Sequence, residues 1–311
     1  MARIKDFKEL LKEICEEENI KLTYLSKDWI VVLEKDDKCK ILAGYKFDLN
    51  SHGLGEVCDD KYALCELLEH YHLPVVEHHI VYAPTNNENY AIGCNNINYL
   101  KELFIKYNTS VVLKINNGTC GNNVYHITNE KDLEYYYLKL SKRNYSLSLC
   151  PFIDIENEYR VIIFQHNPEL IYKKELPRVY GDGVSSIKEL LKNFNYEFFK
   201  DYDGINKDII LKDNEGYIYN WKFNLSGGAK ASFDIEKEVK TEILKLATKV
   251  ANTIDLEFGS IDIIRDKNGS YYVLEINSGV MMDNLIKENE NGYEIAKSIY
   301  TKAIKAMFKI K

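Results

Sequence analysis

The stretch Gly259-Ser260-Ile261-Asp262-Ile263-Ile264-Arg265-Asp266-Lys267-Asn268-Gly269-Ser270-Tyr271-Tyr272-Val273-Leu274-Glu275-Ile276-Asn277 sets how the rest of the chain is read. Two alternating apolar runs flank Asn268-Gly269, a dipeptide that favours a tight hairpin turn. A two-residue turn there pairs Lys267 with Ser270. Counting back, it pairs Ile263 with Leu274, Asp262 with Glu275 and Ile261 with Ile276. Paired residues share a face, and the face repeats every second residue. Ile261, Ile263, Leu274 and Ile276 are then expected to face a core, while Asp262, Glu275 and Asn277 face the other way together. Two carboxylates at roughly 5 Å Cβ separation repel unless a cation lies between them. Three hard oxygen donors so placed suit Mg²⁺ shared with substrate phosphates. The competing reading is a solvated hairpin face carrying ordinary acids.

Working outward, the chain has 311 residues, long enough for two or three lobes around a large core. Its 45% hydrophobic and 29% charged residues are those of a globular protein. No apolar run reaches about 18 residues, so no membrane partner is expected. The start, Met1 to Leu10, is too charged for a secretory signal. The 7 cysteines are scattered without metal-ligand spacing, which points to reduced thiols in the cytoplasm. Net charge −7 and the lack of dense Lys/Arg runs argue against nucleic acid as a partner.

The remaining pattern is a series of short elements. Ile4, Phe7, Leu10, Leu11 and Ile14 have helical spacing over residues 3–18. Strands are expected at 21–25, 29–33 and 39–45, then a loop over 48–55. Asp59 or Asp60 should cap a helix to Tyr71. A strand is expected over 75–82, and a polar loop over 84–96 marks a lobe boundary. A helix over 99–107 leads to a strand over 110–115. Next comes the turn Asn116-Asn117-Gly118-Thr119-Cys120-Gly121, where glycines would let backbone N–H groups close on a phosphate with Lys114 beside it. A plain hairpin loop is the alternative there, and the spacing matches neither a Walker loop nor a dinucleotide fingerprint. A helix over 128–142 follows. Pro151 puts the strand 147–153 at a sheet edge or a crossover. Hairpins are expected around Asn167-Pro168 and around Asn214-Glu215-Gly216, with an irregular aromatic stretch over 195–206. Ser185 or Ser186 should cap a short helix, Asp234 a long helix to Ile254, and a last helix should span 293–308. His52 and His126 fall in loops near the candidate site, and only one of His78 and His79 can face a core.

Four stretches, in this order, resemble the ATP-grasp superfamily of carboxylate–amine ligases, nearest the branch of cyanophycin synthetase, bacterial glutathione synthetases and ribosomal-protein glutamate ligases. They are Asp60-Lys61 to Leu68 with Leu73-Pro74; Val111-Val112-Leu113-Lys114 with Gly118 and Gly121; Glu158-Tyr159-Arg160-Val161 with Gly181-Asp182-Gly183; and Asn224-Leu225-Ser226-Gly227-Gly228-Ala229 with the opening hairpin. The resemblance spans residues 45–285. It implies a mixed α+β and α/β fold: an N-terminal α/β lobe over 1–95, a central lid lobe over 96–153 and a C-terminal lobe with the metal site over 154–311. It implies ATP, with Lys61, Lys114, Gly118 and Gly121 at the phosphates, Phe152 and Ile153 at the adenine, Glu158 at the ribose and Asn224 as a further nucleotide-binding residue. It implies Mg²⁺, as two ions replaceable by Mn²⁺, on Asp262, Glu275 and Asn277. Arg160, with Lys173, Lys174 or Arg178, would supply cations near the phosphates and the acyl group. The activity implied is amide formation between amino acids or small peptides through an acyl phosphate, in a protein compatible with a homodimer. A ligase that tailors a ribosomal precursor peptide and a phosphotransferase are the alternatives. After Asn277, Ser278-Gly279-Val280-Met281-Met282 replaces the family's proline-containing loop.

Overall fold

The computed structural model describes residues 6–84, 96–119, 121–192 and 208–310. The aromatic stretch 195–206, most of the polar loop 84–96 and Cys120 lie outside the described residues.

Helix α1 (Phe7–Glu17) starts where the Asp6 side chain accepts from the N–H groups of Lys8 and Glu9. Strands β1 (Lys21–Leu25), β2 (Ile30–Lys35) and β3 (Lys38–Ala43) follow as an antiparallel meander. Its left-handed turn residues include Asp28 and Asp36. The connections are too short for crossover helices, so these strands pair antiparallel throughout. Helices α2 (His52–Asp59) and α3 (Lys61–His70) come next, capped by Ser51 and Asp60. Half of the expected 48–55 loop is thus the first turn of α2.

Strand β4 (His79–Tyr82) does not close the N-terminal lobe. It pairs with β7 (Ser146–Pro151) in a four-stranded sheet with β5 (Val111–Ile115) and β6 (Val124–Ile127), in the order β4-β7-β5-β6. Strand β7 is therefore interior. Pro151 is tolerated because it is the last residue of its strand, where a missing N–H interrupts no later pairing. Helices α4 (Ile97–Lys106) and α5 (Glu130–Ser141) pack Leu100, Leu103, Phe104, Leu133, Tyr137 and Leu140 into this sheet's core.

The largest sheet is antiparallel in the order β12-β9-β8-β13-β14. It comprises β8 (Ile155–Phe164), β9 (Asn167–Glu175), β12 (Lys230–Ser232), β13 (Phe258–Asp266) and β14 (Tyr271–Asn277). The β8–β9 turn is Gln165-His166, both at positive φ, so Asn167 and Pro168 are strand residues rather than the turn. A small ribbon of β10 (Arg178–Tyr180) and β11 (Gly216–Ile218) stands apart from this sheet. Residues 209–211 do not pair with β11 as expected; Ile210 bridges to Ser186 instead. Ser186 caps α6 (Ile187–Leu191) in a capping box with Glu189. Helix α7 (Lys237–Ile254) begins after Glu236 with no side-chain cap, so Asp234 does not serve as one. The chain ends in α8 (Asp283–Glu288), which the sequence pattern did not show, and α9 (Gly292–Phe308).

Two apolar cores cross the expected lobe boundaries. Phe7, Leu10, Leu11 and Ile14 of α1 share a core with Ile299, Tyr300, Ala303 and Ile304 of α9, so the two chain ends pack together. Leu54, Leu64 and Leu68 of α2 and α3 pack with Ile261, Ile263 and Val250 beneath the largest sheet. That second contact carries the start of α3 to the rim of the β13–β14 hairpin.

The hairpin reaches its expected register by a different path. Asp266 accepts from the N–H groups of Asn268 and Ser270, so the loop is the three residues Lys267-Asn268-Gly269 rather than two. That shifts the ladder by one, and Arg265 lies opposite Tyr271. A bulge between Asp262 and Ile263 shifts it back, placing Asp262 opposite Glu275 and Ile261 opposite Ile276. Leu274 is the extra residue, and it faces the cleft described below instead of the core. Gly269 closes the loop at φ +85. We expect Gly269→Ala to cost about 1 kcal/mol, since a Cβ is disfavoured in that backbone region. Urea unfolding measures it, and no loss of stability would contradict the turn geometry.

Candidate active site

A cleft lies between the four-stranded sheet and the largest sheet. Lys61, Lys114, Gly118, Gly121, Phe152, Ile153, Glu158, Arg160, Lys174, Asn224, Asp262, Glu275 and Asn277 all line it. Arg178 does not. After Pro177 the chain leaves the largest sheet for the β10–β11 ribbon, and Arg178 is exposed there opposite Ile218. Lys173 points to the other face of β9 and pairs with Glu175.

Each position follows from its element. Lys61 is the first residue of α3 and is buried. Its ammonium donates to the carbonyls of Gly118 at 2.6 Å and Asn116 at 3.3 Å, and lies 3.8 Å from Glu275. It therefore ties the glycine turn to the β13–β14 hairpin. Burial lowers its pKa, and Glu275 opposes that shift. Lys114 is the penultimate residue of β5, followed by Ile115 and then the turn, and is paired with Val124 and Ser148. Gly121 is at φ +65, and a Cβ there would come within 2.8 Å of the Asn224 side-chain nitrogen. Lys222 reaches across the cleft to the Gly121 carbonyl at 3.2 Å.

The closed end is apolar and aromatic. The end of β7 passes Cys150 and Pro151 into the cleft wall and continues to Phe152 and Ile153. Phe152 stacks on His126 with centroids 3.7 Å apart and meets Trp221 edge-on at 5.7 Å. His126 lies on β6 rather than in a loop and accepts or donates at Ser110 Oγ, 3.0 Å away. His52 opens α2 at the exposed surface. Of the neighbouring pair, His78 is buried and His79 sits half-buried between Glu77 and Tyr107.

At the other end four charged side chains form a quartet across three strands, with Glu158, Lys174 and Asp262 buried and Arg160 partly exposed. Glu158 and Arg160 are on β8, Lys174 on β9 and Asp262 on β13, and the pairings Glu158–Lys174 and Arg160–Asp262 are strand-register neighbours. Arg160 donates from Nε and Nη2 to the two oxygens of Asp262, both at 2.7 Å. Lys174 donates to Asp262 at 2.9 Å and to Glu158 at 2.5 Å. Burial would raise the Asp262 pKa, but Arg160 and Lys174 outweigh it and hold the carboxyl below its ordinary range. For Glu158 burial prevails over Lys174 and pushes the carboxyl up. Glu158 thus belongs to an ion cluster while lining the cleft.

The donor set fits a hard divalent cation: Glu275 and Asn277 face the cleft beside Asp262, and all three side chains offer the hard oxygen atoms such an ion takes. Sequence reading missed Asn116, Trp221 and Lys222. Asn116 lies inside the glycine turn. Trp221 and Lys222 precede Asn224 by a few residues, and only the folded chain brings that segment over Phe152.

Residues 212–303 match the family of the RimK-like ATP-grasp domain. The chain has the ATP-grasp fold. It is 33% identical over 132 residues to the tetrahydromethanopterin:alpha-L-glutamate ligase of Methanocaldococcus jannaschii, a match spanning 38% of this chain and 43% of that relative. Its fold resembles a bifunctional glutathione synthetase from Pasteurella multocida (TM-score 0.54, 16% identity, 96% of this chain and 42% of that one). It also resembles the D-alanyl-alanine synthetase A from Vibrio cholerae (TM-score 0.57, 10% identity, 96% and 92%). In this ATP-grasp chain no helix among the described residues is long and apolar enough to cross a membrane. The cysteines described (Cys15, Cys39, Cys58, Cys65 and Cys150) are all free.

Proposed function

We propose that this protein is an ATP-dependent ligase that joins a carboxylate to the amine of an amino acid or small peptide, releasing ADP and phosphate. The observation that carries the reading is the convergence of Lys61, Lys114, the glycine turn, Phe152 with Ile153 and the Asp262/Glu275/Asn277 set on one cleft. The glutamate ligase similarity supports an amino acid as the amine.

A carboxylate is too poor an electrophile for direct attack by an amine. Transfer of the γ-phosphoryl group makes an acyl phosphate, which the amine then opens to the amide. Charge spreads over the phosphoryl oxygens during transfer, so positioned cations and backbone donors lower the barrier. Lys61 and Lys114 would bind the phosphates, and the turn over Gly118 and Gly121 would cover them and keep water from the acyl phosphate. Phe152, backed by His126, would hold the base against Trp221. Asp262, Glu275 and Asn277 would hold Mg²⁺, which neutralises phosphate charge.

Phosphate release with ATP and Mg²⁺ against pairs of amino acids and dipeptides tests this. A ligase releases phosphate only when both substrates are present. A stable phosphorylated product from one substrate would instead identify a phosphotransferase. We expect Lys114→Ala to weaken nucleotide binding about tenfold or more, as loss of a charge-assisted contact of ~1.5–3 kcal/mol implies. Calorimetric titration with a non-hydrolysable ATP analogue measures it, and unchanged affinity would move the nucleotide elsewhere.

A further inference from the structure

Asp262 is the most enclosed of the three candidate metal ligands, and both its oxygens are already engaged. The Arg160 fork takes one bond from each, and Lys174 takes a second from Oδ2. The charges around the cleft also disfavour a free cation. Lys61, Lys114, Arg160, Lys174 and Lys222 line it against Glu158, Asp262 and Glu275, an excess of two positive charges. A doubly charged ion entering alone would meet a lining of net positive charge and would compete with a bidentate pair for Asp262.

Phosphate changes both terms. It brings the negative charge the cleft lacks, and its oxygens present to a guanidinium the same planar two-point geometry as a carboxylate. Arg160 can exchange one partner for the other without losing its bonds, and Asp262 is then released toward a cation.

We propose that Arg160 occupies the divalent-cation position in the nucleotide-free protein and leaves it when a nucleoside triphosphate binds, so that the cation site is assembled by the nucleotide. This rests on the ligase reading above for the identity of the nucleotide. Arg160 acts here as a positioning residue: it sets when Asp262 is available. Lys174 keeps Asp262 compensated in both states, which lets the guanidinium depart without leaving a bare buried carboxylate.

The test is Mn²⁺ binding, read from the spin-resonance signal of the free ion, with no turnover required. Wild-type protein alone should bind Mn²⁺ weakly, and far more tightly with a non-hydrolysable ATP analogue. Arg160→Gln without nucleotide should bind Mn²⁺ at least tenfold tighter than wild type without nucleotide. Adding Asp262→Asn to that variant should remove the gain. Equal nucleotide-free affinity in wild type and Arg160→Gln overturns the proposal, as does a gain that survives Asp262→Asn. If Arg160→Gln does not fold, Arg160→Lys, which keeps the charge but not the fork, is read the same way with a smaller gain. Failure of wild type to take up Mn²⁺ with the analogue would count against the ligase reading, while the nucleotide-free comparison still decides the role of Arg160.

Discussion

Glu275→Gln is expected to lower kcat/KM about a hundredfold or more while leaving the melting temperature nearly unchanged. The two halves of this result have separate causes. The Glu275 side chain is 29% exposed and its ion pair with Lys61 spans 3.8 Å. Partly solvated pairs of that length contribute about 0–1 kcal/mol to stability. Its proposed role is different: it supplies a full negative charge to a cation that must neutralise phosphate during transfer. Removing one oriented electrostatic partner of a transition state costs ~2.7–4 kcal/mol, which is the hundredfold or greater loss. Phosphate release and a thermal melt on the same preparation measure both. A variant that turns over normally would remove the metal-ligand role of Glu275.

Asp262→Asn should behave in the opposite way on stability. Asp262 is 3% exposed and is the anion shared by Arg160 and Lys174. The amide cannot compensate those two cations. Breaking a buried pair by removing one partner costs about 3–5 kcal/mol, so the variant should melt well below wild type besides losing turnover. The pH dependence has a definite sign. The folded pKa of Asp262 is depressed, so its contribution is present above the unfolded carboxylate value of about 3.9 and is lost as pH falls from there toward the lower folded value. Wild-type stability should fall steeply through that acid window, and Asp262→Asn should be flatter in it. Denaturant unfolding as a function of pH measures both. A variant as stable as wild type at neutral pH would contradict the quartet.

Much of the site could be read from local pattern. The helix starts at Asp60 and Ser186 follow from side chains that cap their own backbone within three residues. The glycine turn after Lys114 has the same local origin. Readings failed where distant residues competed. Of the two readings of Pro151 the edge fails, because β4 pairs with β7 from much earlier in the chain, while the crossover holds, since the chain passes from β7 directly to β8 of the largest sheet. Arg178 looked like a site cation, yet its short strand pairs with residues 216–218 instead of continuing β9.

The sequence by itself determined that Asp262, Glu275 and Asn277 share a face, because strand alternation and turn chemistry act within twenty residues and need no other part of the chain. It did so even though a longer turn and a bulge, each one residue, cancel along the way. Only the tertiary structure decided what Asp262 touches. Its partners Arg160 and Lys174 lie 102 and 88 residues away and meet it through the order β9-β8-β13. Charge in a protein interior is set by the neighbours that burial forces together, and no local pattern encodes that order.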